Sequence, residues 1–212
     1  MSHPLLRRRG LYAITNGPRS DLLVAVQTAL EGGATLVQYR DKTDDHKRRL
    51  YEATTLSKLC ARFDVPLIVN DDIGLARTSG AAGVHLGEHD LSIAQARAAL
   101  GDDAIVGVSC YDSLQRARDA AAAGANYLAF GAFFPSPTKR QAHRATPDLL
   151  RAARALGKPL VAIGGVTPDN GRSLVAAGAD FLAAISAVFD APDIGATTGR
   201  FTDLFDATES IR

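Results

Sequence analysis

A chain of 212 residues carries 24 Lys plus Arg against 23 Asp plus Glu, a formal charge of +1, and so offers no broad electrostatic grip on nucleic acid or anionic lipid. Hydrophobic residues make up 46% of it, which excludes a disordered chain, and no apolar run is long enough to cross a bilayer. Cys60 and Cys110 make neither a disulfide framework nor a metal knuckle. The opening Met1-Ser2-His3-Pro4-Leu5-Leu6 runs into Arg7-Arg8-Arg9 without the apolar core of a secretion signal. The expectation is a soluble cytoplasmic protein whose arginine run merely solvates one end.

In chain order, the pattern predicts a strand at 11–15, then a helix at 21–31 opened by Ser20. A strand at 35–40 and a helix at 47–63 follow, then strand 66–70 and helix 73–78. Next come strand 83–86, helix 93–100 with Ser92 before it, strand 104–109, and helix 114–123 with Ser113 before it. Strand 126–131 leads to helix 148–156, marked by Pro147. Strand 159–163 leads to helix 169–176, marked by Pro168. Strand 181–186 and a last helix within 194–206 complete the set. Gly33-Ala34, Gly80-Ala81, Gly124-Ala125 and Gly178-Ala179 punctuate it, each ending a helix and preceding a strand.

The strands are nearly continuous in apolar residues, as parallel strands covered on both faces should be. Eight β-then-α units in about 200 residues fit one closed (β/α)₈ TIM barrel, taken as a single domain over 1–212 with its core at about 11–188. No G-x-G-x-x-G follows the first strand, which argues against an open dinucleotide-binding sheet.

In such a barrel chemistry sits at the C-terminal ends of the strands. Strand two ends Gln38-Tyr39-Arg40-Asp41-Lys42, and alternation puts Gln38, Arg40 and Lys42 on one side, two cations and an amide suited to an anion. A solvated turn is the plainer alternative. Strand three ends Asn70-Asp71-Asp72 and strand four runs into His85-Leu86-Gly87-Glu88-His89-Asp90. Adjacent strands lie roughly 5 Å apart, so Asp71 and Asp90 are placed to face one ion. Mg²⁺ suits so sparse a pair, since it fills its shell with water and phosphate. Asp72 reads better as a helix N-cap, a role that also competes for Asp90. His85 and His89 lie in a strand-to-loop turn, not on one helix face, which disfavours zinc and makes His85 a hydrogen-bonded barrel residue.

Gly131-Ala132-Phe133-Phe134-Pro135-Ser136-Pro137-Thr138-Lys139-Arg140 supplies hydroxyls and a cation in a connection longer than most βα loops. Gly164-Gly165 and Ile185-Ser186 follow strands seven and eight, where barrels bind a phosphate. Ser109 offers a hydroxyl at the end of strand five, and Cys110 lacks a paired base. Two anion sites emerge, one around Arg40, Lys42, Lys139 and a metal, the other around Gly165 and Ser186.

The ordered set Gln38-x-Arg40-x-Lys42, Asn70-Asp71, Val84-His85-Leu86-Gly87-x-x-Asp90, Gly107-Val108-Ser109, Pro135-Ser136-Pro137-Thr138-Lys139, Ala162-Ile163-Gly164-Gly165 and Ala184-Ile185-Ser186 resembles the thiamine-phosphate synthase family. The resemblance covers roughly 11–188. It implies a Mg²⁺-dependent transferase that joins 4-amino-5-hydroxymethyl-2-methylpyrimidine diphosphate to a thiazole phosphate, in its plain or 2-carboxy form, releasing pyrophosphate. By that resemblance Gln38, Tyr39, Arg40, Asp41, Lys42, Asn70, Ser109 and Lys139 hold the pyrimidine diphosphate, and Asp71 and Asp90 hold Mg²⁺. Ser136, Pro137, Thr138, Gly165, Ile185 and Ser186 meet the thiazole phosphate. Arg40, Lys42 and Lys139 stabilise the departing charge. Glu88 stands where the family's Gly-Gln-x-Asp pattern has Gln, and Ser136 where Thr is commoner.

Alternatives are a thiazole tautomerase on a related barrel, a non-catalytic sensor of thiamine phosphates, and a phosphosugar epimerase. The tautomerase would not need the combined Asp71, Asp90, Arg40 and Lys139 set, and magnesium-dependent turnover separates the sensor. The epimerase would need paired acid–base carboxylates facing a sugar carbon, whereas Asp71 and Asp90 are better placed as metal ligands. The partners expected are small molecules, with neither nucleic acid nor membrane, and the reading leaves room for a homo-oligomer.

Overall fold

The computed structural model describes residues 3–88, 90–135 and 144–209. Within them eight parallel strands close into a barrel in sequence order: β1 (Gly10–Ile14), β2 (Leu36–Tyr39), β3 (Leu67–Asn70), β4 (Gly83–Leu86), β5 (Ile105–Tyr111), β6 (Tyr127–Phe130), β7 (Leu160–Ile163) and β8 (Phe181–Ala184). β1 pairs with both β2 and β8, Tyr12 lying beside Leu36 on one side and Ala183 on the other. The (β/α)₈ expectation holds.

Helices α1 (Leu22–Glu31), α2 (His46–Ala61), α3 (Ile73–Ser79), α4 (Ile93–Leu100), α5 (Leu114–Ala122), α6 (Pro147–Ala153), α7 (Arg172–Ala176), α8 (Ser186–Phe189) and α9 (Ile194–Glu209) surround it. Among the described residues no helix is long and apolar enough to cross a membrane. The four helix-ending glycines named above all have positive φ, from 67° at Gly80 to 107° at Gly178. Ser92 caps α4 in a reciprocal capping box with Gln95, and Ser113 caps α5.

α2 and α6 each begin one residue earlier than expected, and two other helices begin later. α1 begins one residue later than Ser20 suggests, with Asp21 at the N-cap position. Asp21 makes no cap bond, because Arg19 takes its carboxylate at 2.6 Å and 2.8 Å. α7 begins at Arg172 and not at 169, because the Asn170 side chain accepts the Thr167 N–H and donates to the Gly165 carbonyl. That local alternative withholds the backbone from the helix. β5 begins one residue later and ends two residues later than predicted, and it shifts register against β6 between Ser109 and Tyr111.

Strand alternation sorts the core into two layers. Outward residues pack under the helices in one large apolar cluster, where Phe201 and Phe205 of α9 are buried. Inward residues fill the barrel, namely Tyr12, Ile14, Leu36, Ile68, Ile105, Tyr127, Ala129, Val161, Phe181 and Ala183, with Leu6 plugging the N-terminal end. Leu6 sits in a 3₁₀ turn, Pro4–Leu6, that the sequence reading missed. Arg9 also does more than solvate this end. Its Nη2 donates to the Ala179 carbonyl at 2.9 Å, and its guanidinium lies over the Phe205 ring.

Candidate active site

Alternation decides which residues after β2 reach the barrel mouth. Gln38 points inward and is 2% exposed, its Nε2 donating to Tyr12 Oη at 2.6 Å. Tyr39 points outward under α2, and its hydroxyl donates to Glu52 at 2.7 Å. Asp41 accepts from Arg48 at 2.6 Å and from the Thr43 N–H at 2.8 Å. Burial pushes the Asp41 carboxyl up, but the Thr43 N–H and Arg48 outweigh it and hold it below its ordinary value. The Tyr39 side chain, expected among the ligand contacts, is therefore turned to the structural side, whereas Asp41, though held by Arg48, lines the cleft at the strand ends. Arg40 is half-buried, its backbone tied to Thr15 Oγ1, and its guanidinium has no partner among the described residues.

Lys42, exposed beyond the strand end, reaches Asp71 at 3.3 Å. Asp71 follows β3 in left-handed backbone (φ 63°), and its N–H donates to the His85 carbonyl at 2.9 Å, joining the tips of β3 and β4. Burial raises the Asp71 carboxyl above its ordinary value, the Asp90 carboxylate within hydrogen-bonding reach adds to this, and Lys42 opposes it. The two carboxylates expected to face each other do so. Asp90 is not a cap, since Ser92 holds that position, and its Oδ2 accepts the Gly87 N–H at 2.6 Å. Asp72 is the cap of α3, accepting from the Leu75 N–H at 2.8 Å and from Arg49 at 3.0 Å.

A pair of crowded carboxylates beside one lysine suits a hard divalent cation that completes its shell with water and phosphate. Among the described residues no group of three or more His, Cys, Asp or Glu gathers into a fuller cage. A cleft of about 240 Å³ opens here, its lining including Asp41, Lys42, Asn70, Asp71 and Asp72. Arg49 of α2 lines it too, and sequence reasoning missed it. Its Nε is buried without a hydrogen-bond partner, while its Nη2 holds Asp72. Only the helical spacing from Asp45 would have aimed it inward.

Across the barrel floor runs a row of polar groups, also missed as such. Tyr12 Oη and Tyr127 Oη are 2.8 Å apart, Tyr127 Oη and His85 Nδ1 3.0 Å, and His85 Nε2 and Ser109 Oγ 2.9 Å. Burial lowers the His85 pKa to about 4, Asp90 opposing it, so the ring is neutral at physiological pH. His85 is thus the hydrogen-bonded barrel residue expected. Arg116 of α5 braces this side, its Nε donating to the Ser109 carbonyl at 2.7 Å and its Nη2 to the Gly87 carbonyl at 3.1 Å. Cys110 faces outward, and burial pushes its thiol up to about 12, which removes it as a nucleophile.

The opposite rim is built from glycines and a short helix. Gly165 has φ 64°, and a Cβ there would lie 2.5 Å from the Pro135 carbonyl, so the loops after β6 and β7 touch only because residue 165 is bare. The Phe133 and Phe134 N–H groups donate to the Ile163 and Gly164 carbonyls at 3.2 Å and 2.9 Å. Ile185 precedes α8, whose first residue is Ser186, and the first N–H groups of any helix lack carbonyl partners within it. Ser136, Pro137, Thr138 and Lys139, like His89, lie outside the described residues.

A sequence model of the family described as thiamine monophosphate synthase matches residues 11–188, from β1 to α8. The chain belongs to the thiamine monophosphate synthase family. Among its relatives in that family, the thiamine-phosphate synthase of Thiobacillus denitrificans is 53% identical over 201 residues, covering 93% of this chain and 95% of that one. That of Xanthomonas campestris pv. campestris is 54% identical over 190 residues, covering 89% and 92%. A solved thiamine phosphate pyrophosphorylase from Pyrococcus furiosus superposes with a TM-score of 0.86 at 33% identity, covering 96% of this chain and 98% of that one. A 3-hexulose-6-phosphate synthase, at 18% identity and TM-score 0.71, shares the fold alone. Membership of the thiamine monophosphate synthase family makes this chain a transferase of thiamine biosynthesis.

Proposed function

We propose that the chain joins 4-amino-5-hydroxymethyl-2-methylpyrimidine diphosphate to 4-methyl-5-(2-phosphoethyl)thiazole, or its 2-carboxy form, giving thiamine phosphate and pyrophosphate. The observation that carries this reading is the corner where Lys42 meets Asp71 beside Asp90, with Arg40, its guanidinium unpaired among the described residues, two positions before Lys42, and a second, glycine-built rim opposite. One mouth with two anion-accepting corners suits two phosphorylated substrates.

Asp71 and Asp90 would hold Mg²⁺, which when bound neutralises diphosphate charge. Arg40, Lys42 and Lys139 bind the diphosphate oxygens and stabilise the pyrophosphate as the carbon–oxygen bond breaks, the electron pair leaving with the oxygen. The methylene carbon left behind is a cation stabilised by the aminopyrimidine. The thiazole nitrogen lone pair then forms the new carbon–nitrogen bond, and no proton need move. Gln38, Asn70 and Ser109 face the pyrimidine from the barrel floor. Gly165, Ile185 and Ser186, with 136–138, take the thiazole phosphate through backbone N–H groups and hydroxyls.

The test is pyrophosphate release by the purified chain, with each substrate and Mg²⁺ omitted in turn. Release that requires all three supports the synthase. Binding of the thiazole phosphate without any release rejects it in favour of the tautomerase or sensor.

A further inference from the structure

The row Gln38–Tyr12–Tyr127–His85–Ser109 joins, across the barrel floor, two of the residues assigned above to the pyrimidine. Its three middle members touch neither the metal pair by side chain nor either anion corner. Rings lock it in place: Tyr12 and Tyr127 meet edge to face with centroids 5.8 Å apart, and His85 stacks on Tyr127 at 5.6 Å with 16° between planes.

Each hydroxyl in such a row has one proton, so one end sets the direction of all the rest. Gln38 presents its amide NH₂ to Tyr12 Oη. In the sense that amide sets, Tyr12 would donate to Tyr127, Tyr127 would donate to His85 Nδ1, and the imidazole proton would sit on Nε2 and be donated to Ser109 Oγ. Two groups remain unspent. Gln38 Oε1 accepts from no described residue, and the Ser109 hydroxyl proton is free to leave the row toward the mouth. The opposite sense would turn the Gln38 amide round, put the proton on Nδ1, and commit the Ser109 hydrogen to His85.

We propose that Tyr12, Tyr127 and His85 are positioning residues that fix Gln38 as a hydrogen-bond acceptor and Ser109 as a donor, so that the floor selects a 4-aminopyrimidine over its 4-oxo counterpart. This rests on the substrate reading above. A 4-aminopyrimidine offers an amine to an acceptor and bare ring nitrogens to a donor. The 4-oxo ring offers a carbonyl oxygen and a protonated ring nitrogen, which meets an acceptor with an acceptor and a donor with a donor. The floor thereby rejects by mismatch, which discriminates more strongly than apolar fit.

The first measurement is the His85 tautomer in the intact, ¹⁵N-histidine-labelled chain, its signal assigned by its loss in His85→Gln. A pyrrole-type Nε2 and a pyridine-type Nδ1 are expected; the reverse overturns the proposal. The second uses Tyr127→Phe, which cuts the row at its centre. Its kcat/KM for the 4-amino diphosphate should fall roughly tenfold to a hundredfold, the effect of leaving buried polar partners unmatched. The loss should appear in the KM for the pyrimidine, with the KM for the thiazole phosphate and the Mg²⁺ titration unchanged. Preference for the 4-amino over the 4-oxo diphosphate should shrink by the same factor. A variant that makes thiamine phosphate with wild-type preference overturns the proposal. Should Tyr127→Phe fail to fold, the tautomer of the unmodified chain decides alone. Absence of any synthesis by the unmodified chain would reject the substrate reading, and the tautomer would still decide the direction of the row.

Discussion

Gly107 and Tyr127 share one space: a Cβ on residue 107 would lie 1.9 Å from the tyrosine ring, so the ring crosses the barrel only because β5 is bare at that point. Gly107→Ala should displace Tyr127 and break its contacts with Tyr12 and His85. Overpacking of this kind costs about 1–3 kcal/mol. Denaturant unfolding should show the loss, and unchanged stability would mean that the ring has room elsewhere.

Asp71→Asn removes one of two facing carboxylates. The Mg²⁺ concentration needed for half-maximal turnover should rise by at least tenfold, and Asp90→Asn should do the same. A magnesium titration that does not move would reject the pair as metal ligands.

Lys139→Ala should lower turnover far more than it lowers the melting temperature, because the cation acts on departing pyrophosphate and not on the core. Near-wild-type turnover at saturating substrates would remove Lys139 from that role.

His85 gives the fold an acid weakness. Its pKa is about 4 in the barrel against 6.5 ordinarily, so the unfolded chain binds the extra proton first. Stability is complete above pH 6.5 and falls as the pH drops toward 4, by roughly 3 kcal/mol in all. In His85→Gln that part of the acid dependence should vanish. Parallel stability curves for the two chains between those pH values would contradict a buried neutral ring.

Gly165→Ala brings a methyl group against the Pro135 carbonyl in left-handed backbone. The loops after β6 and β7 must separate, and the KM for the thiazole phosphate should rise by more than that for the pyrimidine diphosphate. Equal effects on both would argue against a phosphate rim here.

Sequence made the barrel legible because each unit repeats one physical problem, a helix that must stop before a strand buried on both faces. Gly33, Gly80, Gly124 and Gly178 solve it alike, and all four carry the positive φ that the solution requires. Starts were less legible. Ser20 and Pro168 are sound signals overridden by a neighbour, Arg19 capturing Asp21 and Asn170 capturing the Thr167 N–H. At the site, Asp71 and Asp90 were readable because adjacent strands bring their ends together. The Tyr39 side chain turns away, since a period of two cannot turn five consecutive side chains to one mouth. Tyr12 and Tyr127 escaped notice because an inward tyrosine in an apolar run looks like core until its hydroxyl is seen to have a partner.

Arg48 binds Asp41, Thr43 and Glu52 at once, and Tyr39 holds Glu52 from the other side. Arg40 and Lys42 therefore flank a residue nailed to α2. Their like charges are kept close by the fold itself, and the chain between them is already ordered before any anion arrives. An anion entering this corner need not spend attraction on gathering the cations or on stilling the loop, so more of its attraction is left to act on the bond that breaks.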